Sequence, residues 1–162
     1  MTREAFGRAV IQMQPSLYRV SYGILLNHTD CADAVQECIL KAWAKQDTLR
    51  CEAFMQSWMI RILINECYNL MRKRRRLVDL DSLPEPEAPP GADPALHDAI
   101  AHLDDKLRLP VVLHYMEGYR VDEIAKMLRL PSGTVKSRLM RARARLKDML
   151  DDQEGGISHA KK

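Results

Sequence analysis

The chain has 162 residues, which is enough for one ordinary domain or for two small ones. Strong helix formers are frequent and the aromatic residues typical of strands are scarce, so the composition predicts an all-α fold. The formal net charge is only +3, and any affinity for a polyanion must therefore come from an uneven distribution of charge.

The sequence also disfavours three classes of protein: membrane proteins, metalloproteins and enzymes. No apolar run approaches the roughly 20 residues that span a bilayer, and the first residues lack a signal-peptide pattern, so a cytoplasmic protein is expected. The four cysteines contain no C-x-x-C pair and the five histidines no H-x-x-x-H spacing. We therefore expect no metal, no cofactor and no catalytic residues.

The first third of the chain predicts three helices. The first runs to about Gln14 and ends at Pro15, because proline lacks the amide that a helix interior needs. A second helix is expected from about Ser16 to Leu26. The third begins after a short turn, with Thr29 or Asp30 as its N-cap.

A polar loop, Gln46–Ala53, separates these helices from a long helix that begins near Phe54. This helix ends in the unbroken basic run Arg72–Arg76, whereas residues 1–70 hold seven basic and seven acidic side chains. A second basic block, Arg129–Lys147, holds seven basic residues and no acid. Two separated basic blocks suggest two contacts with a polyanion.

Between the two basic blocks lies an acidic, proline-rich segment, residues 77–94. Five of the eight prolines fall there, and the segment holds no Lys or Arg. Proline disfavours helix and like charges repel, so we expect an extended linker. The predicted organisation is a first helical domain over 1–76, this linker, a second helical domain over 95–150, and a disordered tail over 151–162.

The second domain is predicted to end in a helix-turn-helix. It begins with a short helix to about Leu103 and a second helix over Asp104–Met116, which Pro110 should kink. Val121–Leu128 then forms the first helix of the motif, and Ser132 is the expected N-cap of the second.

The second helix of the motif has separate apolar and basic faces. Its apolar stripe consists of Val135, Leu139, Ala142 and Leu146. The hydroxyl and basic side chains elsewhere on the helix suit base edges and phosphates in a major groove. They are Thr134, Lys136, Ser137, Arg138, Arg141, Arg143, Arg145 and Lys147. A merely solvated basic face is the alternative, but it explains poorly why nineteen positions hold no acid.

These motifs resemble bacterial sigma-70 family sigma factors, and most closely the extracytoplasmic-function (ECF) group. The C-terminal domain of that family is similar to Leu113–Tyr119, Glu123–Ala125, Gly133–Leu139 and Arg141–Arg143. The pattern of the family's polymerase-binding helix is matched by Asp30, Asp33, Val35, Gln36, Glu37, Lys41, Ala42 and Trp43. The pattern of its promoter-melting helix is matched by Phe54, Trp58, Met59, Arg61, Ile62, Asn65, Arg72 and Lys73.

The resemblance implies a sigma factor that reads the −35 promoter element as duplex and the −10 element as it opens. The implied −35 contacts are Thr134, Lys136, Ser137, Arg138, Arg141 and Arg145. The implied contacts to the melted −10 strand are Arg61, Asn65, Asn69, Arg72, Lys73 and Arg76, with loop Gln46–Ala53 completing a pocket for a flipped base.

The resemblance also implies protein partners. Asp33, Gln36, Glu37 and Leu40 would contact the clamp helices of the largest subunit of core RNA polymerase. Family members are usually held inactive by an anti-sigma factor, often a membrane-anchored one, so such a partner is implied without direct membrane insertion of this chain. The linker would pass near the RNA path, although the residues alone favour a simple solvated tether.

Several points remain open. Trp58 could stack on a base, but its spacing to apolar neighbours favours a core position. Arg120, Arg129 and Asn69 replace the serine cap, turn glycine and aspartate usual in the family, and the two arginines could add phosphate contacts.

The alternative function is a free-standing helix-turn-helix regulator that binds DNA without polymerase, which leaves the first domain without a role.

Overall fold

The computed structural model describes residues 1–77 and 93–160, with side chains through Gln153. The described residues form helices and turns and contain no strand, so the all-α prediction is confirmed. The chain divides into two compact units, Met1–Glu85 and Pro86–Lys162. The predicted linker, 77–94, lies almost entirely outside the described residues.

The first unit is built from three helices that pack on one another, α1 (Arg3–Leu25), α2 (His28–Ala44) and α3 (Met55–Leu77). Two short 3₁₀ turns, Gln46–Thr48 and Glu52–Phe54, occupy the predicted polar loop. One apolar face of each helix forms the common core, which removes this surface from water. The fully buried residues include Leu17, Val20, Cys38, Met59 and Leu63.

The prediction that Pro15 ends a helix is wrong, because α1 runs through it. Pro15 removes the hydrogen bond that residue 15 would donate to the carbonyl of Ile11. Both residues lie on the exposed face of α1, where water can solvate that carbonyl. Burial of Leu17 and Val20 on the opposite face then holds the two halves in one helix.

The N-cap predicted for the third helix is also wrong. Asn27 caps α2, and its Oδ1 accepts a hydrogen bond from the Asp30 amide at 3.0 Å. Leu26 takes a left-handed conformation (φ 53°) as the C-cap of α1. The turn between α1 and α2 is therefore shorter than expected, and Thr29 and Asp30 lie inside the first turn of α2.

The second unit contains α4 (Pro94–Ala101), α5 (Asp105–Val111), α6 (Val121–Leu128) and α7 (Ser132–Ala160). Its core is formed by Ile100, Leu107, Leu113, Ile124, Val135 and Leu139. Arg108 is buried and donates to the carbonyls of Leu103 (2.8 Å) and Ala101 (3.3 Å). These bonds supply donors to carbonyl groups at and just after the end of α4, where a helix leaves its last carbonyls without amide partners.

Pro110 does not simply kink a helix over Asp104–Met116. α5 ends at Val111, and a π-helical turn follows over Val112–Met116, in which the Glu117 amide donates to the Val112 carbonyl at 3.1 Å. Because Pro110 has no amide hydrogen, the regular ladder is interrupted there. A π turn is rare in proteins and usually occurs, as here, as a single turn next to α-helix.

The C-terminal end also differs from expectation. α7 continues to Ala160, where a disordered tail was predicted from residue 151. Gly155 and Gly156 each lower helix propensity by about 1 kcal/mol, but unlike proline they keep the amide hydrogen and do not block the helix sterically.

Candidate nucleic-acid interface

Helix α7 is fixed to the second unit by its apolar stripe. Val135, Leu139 and Ala142 are at most 3% exposed and face α5 and α6, while Leu146 is half-buried. Because residues three or four apart share one face of a helix, this anchoring determines which side chains point away.

The side chains predicted to contact the −35 element lie on the accessible part of α7. Four are exposed and two, Thr134 and Arg138, are half-buried. The exposed four are Lys136, Ser137, Arg141 and Arg145. The structure thus brings short hydroxyls near the start of the helix and arginines along it, as major-groove recognition requires.

The start of α7 differs from the prediction by one position. Ser132 is the first helical residue instead of the N-cap, and the Pro131 carbonyl accepts from the amides of Thr134 (3.0 Å) and Val135 (3.2 Å). Pro131 therefore occupies the turn, where its fixed φ is compatible with the start of a helix.

The two arginines that depart from the family pattern have defined geometry. Arg120 precedes α6, and its amide donates to Glu123 Oε2 at 2.8 Å, which supplies one half of a capping box. Its guanidinium is also 3.5 Å from Asp122 and 3.8 Å from Glu123. Arg129 is exposed and adopts a left-handed conformation (φ 56°, ψ 46°), the one that glycine takes without strain.

One contact of α7 was not predicted. Arg143 donates to the hydroxyl of Tyr115 at 2.8 Å, across 28 residues of sequence. Helical spacing placed Arg143 on the basic flank, but only the tertiary structure shows that a neighbouring element holds its guanidinium.

In the first unit, the residues predicted to contact the melted strand share one exposed stripe of α3. Arg61, Asn65, Asn69, Arg72, Lys73 and Arg76 are all exposed. Arg72 Nη2 donates to Asn69 Oδ1 at 2.5 Å, which orients both side chains. The opposite face, including Met59, Ile60 and Leu63, is completely buried. The stripe therefore offers amide and cationic hydrogen-bond donors. Because Asn69 is uncharged, its hydrogen bond with Arg72 does not neutralise the positive charge of Arg72.

The loop predicted to form a base pocket precedes this stripe. Asn65 is exposed, as a base contact requires, and Trp58 is half-buried. The large exposed aromatic in this region is Phe54, with 66% of its surface accessible. The core position that the spacing of Trp58 favoured is thus met only in part, and Phe54 is the aromatic in this region with the larger accessible surface.

Helix α2 exposes an acidic face. Asp33, Gln36 and Glu37 are exposed, and 59% of Leu40 is accessible. These are the residues predicted to contact polymerase, and they lie opposite the buried Ala34, Cys38 and Ala42.

A groove of about 490 Å³ separates the acidic face of α2 from the basic end of α3. Asp33 and Glu37 line one wall, and Arg72, Lys73 and Arg76 line the other. Across it, Lys41 Nζ lies 2.5 Å from Glu66 Oε1, and this hydrogen bond raises the pKa of Lys41.

A second ion pair joins the same two helices and was missed from the sequence. Asp30, whose side chain is only 4% exposed, pairs with Arg74 in the middle of the basic run. Burial raises the pKa of Asp30, and the neighbouring Arg74 opposes the shift. A buried acid with a tertiary partner leaves no spacing signal, so sequence reasoning grouped Asp30 with helix-cap residues.

The described residues contain no cluster of His, Cys, Asp or Glu that could hold a metal ion. None of the helices among them is long and apolar enough to cross a membrane.

Comparisons with known proteins match both units. The family model for sigma-70 region 2 matches residues 9–77, and the model for sigma-70 region 4 matches residues 94–146. The ECF RNA polymerase sigma factor SigM of Mycobacterium tuberculosis is 30% identical over 96% of this chain and 82% of its own length. RNA polymerase sigma factor SigV of Bacillus subtilis is 27% identical over 87% of this chain and 88% of its own.

A solved structure has the same fold. The sigma factor RpoE of Bartonella quintana, determined in complex with the anti-sigma factor NepR, superposes with a TM-score of 0.80 and 29% identity. The match covers 91% of this chain and 98% of that one. With both regions present in order and curated relatives of this identity, the chain belongs to the ECF group of sigma-70 RNA polymerase sigma factors.

Proposed function

We propose that this sigma factor docks on core RNA polymerase through α2 and contacts promoter DNA through two basic faces with different tasks. The α7 face binds the −35 element as duplex, and the α3 stripe binds the −10 element as the strands separate. The observation that carries the proposal is the presence of two exposed basic helix faces, one in each compact unit, and of an acidic face on α2 in the first unit.

The chemistry of the α7 face supports duplex binding. Ser137 and Arg141 project from a helix whose other side is anchored in the core, and such a helix can enter a major groove. Arginine recognises guanine edges through two hydrogen bonds, while the flanking lysine and arginine side chains bind phosphates.

The α3 stripe suits an opened strand. Asn65 and Asn69 can donate and accept hydrogen bonds with the exposed edges of unpaired bases, and Arg61 and Arg72 are placed to bind phosphates. Unpairing and extruding a base costs a few kcal/mol, which such contacts can offset. Promoter opening of this kind needs no covalent chemistry by the chain, and we propose no enzymatic activity.

The α2 face suits a basic protein surface. Asp33 and Glu37 supply negative charge, and the exposed Leu40 supplies an apolar contact. Charge complementarity of this kind determines which partner is recognised, and a buried apolar side chain contributes affinity. We assign this face to the clamp helices of the largest polymerase subunit.

An anti-sigma factor is the second proposed protein partner. The Bartonella quintana neighbour was determined in complex with an anti-sigma factor and shares the fold over nearly its whole length. By analogy, this chain would be held inactive by such a protein until released. The free-standing regulator is disfavoured because it gives no role to residues 9–77, which match region 2.

Run-off transcription with bacterial core polymerase tests the proposal. The template is a promoter selected from a randomised DNA library by the complex of core polymerase with this chain. We expect a promoter-dependent transcript only when the chain is added. Absence of transcript, together with tight sequence-specific duplex binding by the chain alone, would instead establish the free-standing regulator.

A further inference from the structure

The basic run at the end of α3 has five consecutive cationic residues, but they do not all face the same way. Arg72, Lys73, Arg75 and Arg76 are exposed, whereas Arg74 is half-buried and pairs with Asp30. Asp30 belongs to the first turn of α2, so the pair joins the start of one helix to the last turns of the other.

We propose that Asp30 is a positioning residue for binding the opened promoter strand. Through Arg74 it holds the end of α3 against α2. Arg72, Lys73 and Arg76 then stay on the α3 wall of the groove, in position to bind the opened strand. Arg74 itself is then an internal anchor and makes no contact with a phosphate. This inference rests on the function proposed above, because it says how the α3 stripe is held in position to bind the opened strand.

The position of the pair explains why an anchor is needed there. The carbonyl groups in the last turn of a helix have no amide donors within the helix, so this turn frays readily, and consecutive like charges repel one another. Core packing of α3 is provided by residues up to Cys67, which is fully buried, and the following turns have no fully buried side chain. Beyond that point, the pair between buried Asp30 and half-buried Arg74 ties α3 to α2.

The other ion pair between α2 and α3 is the natural comparison. Lys41 and Glu66 meet near the middle of α3, where core packing already fixes the helix. Losing that pair should therefore leave the end of α3 in place. Both pairs join α2 to α3, but only the Lys41–Glu66 pair lies where core packing also holds α3 in place.

A charge argument gives the test a definite sign. Replacing Asp30 with Asn removes a negative charge and releases an arginine, and both changes alone would tighten binding to a polyanion. If Asp30 positions the end of α3, binding should weaken instead. A purely structural role would reduce the folded fraction and leave the affinity of the folded molecules unchanged.

The experiment measures the affinity of the full chain, bound to core polymerase, for the selected promoter with its −10 segment already single-stranded. Fluorescence anisotropy over a salt series gives both affinity and salt slope, with the folded fraction of each variant measured by circular dichroism. For Asp30→Asn we expect affinity to fall about three- to tenfold and the slope to fall by more than the roughly 0.7 of one phosphate contact.

Five further variants make the result specific, one of which is Arg74→Gln alone. Arg74→Lys keeps the ion pair and should bind within about twofold of the unaltered chain, since one cation replaces another. Arg74→Gln combined with Asp30→Asn should be no weaker than either single change, because they break the same pair. Glu4→Gln removes an exposed acid from α1, Glu66→Gln breaks the other ion pair by the same loss of an acid as Asp30→Asn, and both should leave binding unweakened.

The outcomes separate the two proposals. If the unaltered chain with polymerase fails to bind the opened promoter, the proposed function fails and this inference with it. If the unaltered chain binds and Asp30→Asn binds equally well or more tightly, only the positioning role is overturned. Additive losses in the double variant would also contradict it, because Arg74 would then contact DNA independently.

Discussion

Arg129 shows how one residue can depart from local preference at a functional turn. It takes φ 56° at the end of α6, and its amide donates to the Ala125 carbonyl. The left-handed conformation costs a non-glycine residue about 1–2 kcal/mol. Since the side chain is exposed, no buried contact offsets that cost. The retained charge is consistent with a contact to phosphate, which stays a prediction.

Replacing Arg129 with Gly should therefore stabilise the second unit and weaken its DNA contact. We expect the free energy of unfolding to rise by about 0.5–1 kcal/mol, the relieved strain exceeding the added entropy of the unfolded chain. The salt slope of duplex binding should fall by about 0.9 if the guanidinium contacts a phosphate.

Chemical denaturation and duplex-binding titrations check the two effects separately. Arg129→Lys is the control, since it keeps both the charge and the backbone strain and should change neither value. Loss of stability in Arg129→Gly would show that the turn is not strained, and an unchanged salt slope would remove the phosphate contact.

The cysteines give a second residue-scale prediction. Burial raises the pKa of Cys31 and Cys67 and raises that of Cys38 to about 12, whereas Cys51 is exposed in the loop before α3. Thiolate is the reactive form, so buried thiols with raised pKa values react slowly.

At pH 8 we expect one thiol of the native protein to react rapidly with Ellman's reagent and all four to react after denaturation. Cys51→Ser should abolish the rapid phase. Rapid reaction of a second thiol in the native state would show that the core of the first unit opens.

At the scale of elements, helical periodicity predicted the faces of α3 and α7 well. Stripes such as Val135, Leu139 and Ala142 depend on local geometry alone, and the structure buries them. Element ends were predicted less well. The Asn27 cap, the π turn after Pro110 and the Asp30–Arg74 pair depend on how helices pack, and spacing along one helix carries no such information.

Pro15 provides the element-scale prediction. Because α1 is continuous, Pro15→Ala should restore one backbone hydrogen bond to the Ile11 carbonyl and remove the clash of the ring. We expect the free energy of unfolding to rise by about 1–3 kcal/mol.

Thermal and urea unfolding measure this change. Gln14→Ala, at the preceding exposed position, is the control for helix propensity and should change stability by less than about 0.5 kcal/mol. A less stable Pro15→Ala protein would mean that the packing of α1 depends on a bend at the proline.

At the scale of the whole molecule, the order of charge along the chain predicted two contacts with a polyanion. The structure places the two basic blocks in separate compact units, each with its own core. Charge alone could not show which block binds which form of DNA, because phosphates attract both blocks alike. We propose the assignment to duplex and opened strand from side-chain chemistry and from the family to which the chain belongs.

The most direct test of this division of labour is run-off transcription from two templates, the fully duplex promoter and the same promoter with its −10 segment unpaired in advance. Arg72→Gln and Arg141→Gln each remove one exposed arginine, from α3 and α7, and Arg8→Gln on α1 is the control. Unpairing costs a few kcal/mol, which the opened template no longer requires the α3 face to offset.

We therefore expect Arg72→Gln to lose activity on duplex and to recover most of it on the opened template. Arg141→Gln should be reduced by the same factor on both templates, and Arg8→Gln should be unchanged on both. Equal recovery of Arg72→Gln and Arg141→Gln, or recovery of Arg141→Gln alone, would contradict the assignment of the two faces.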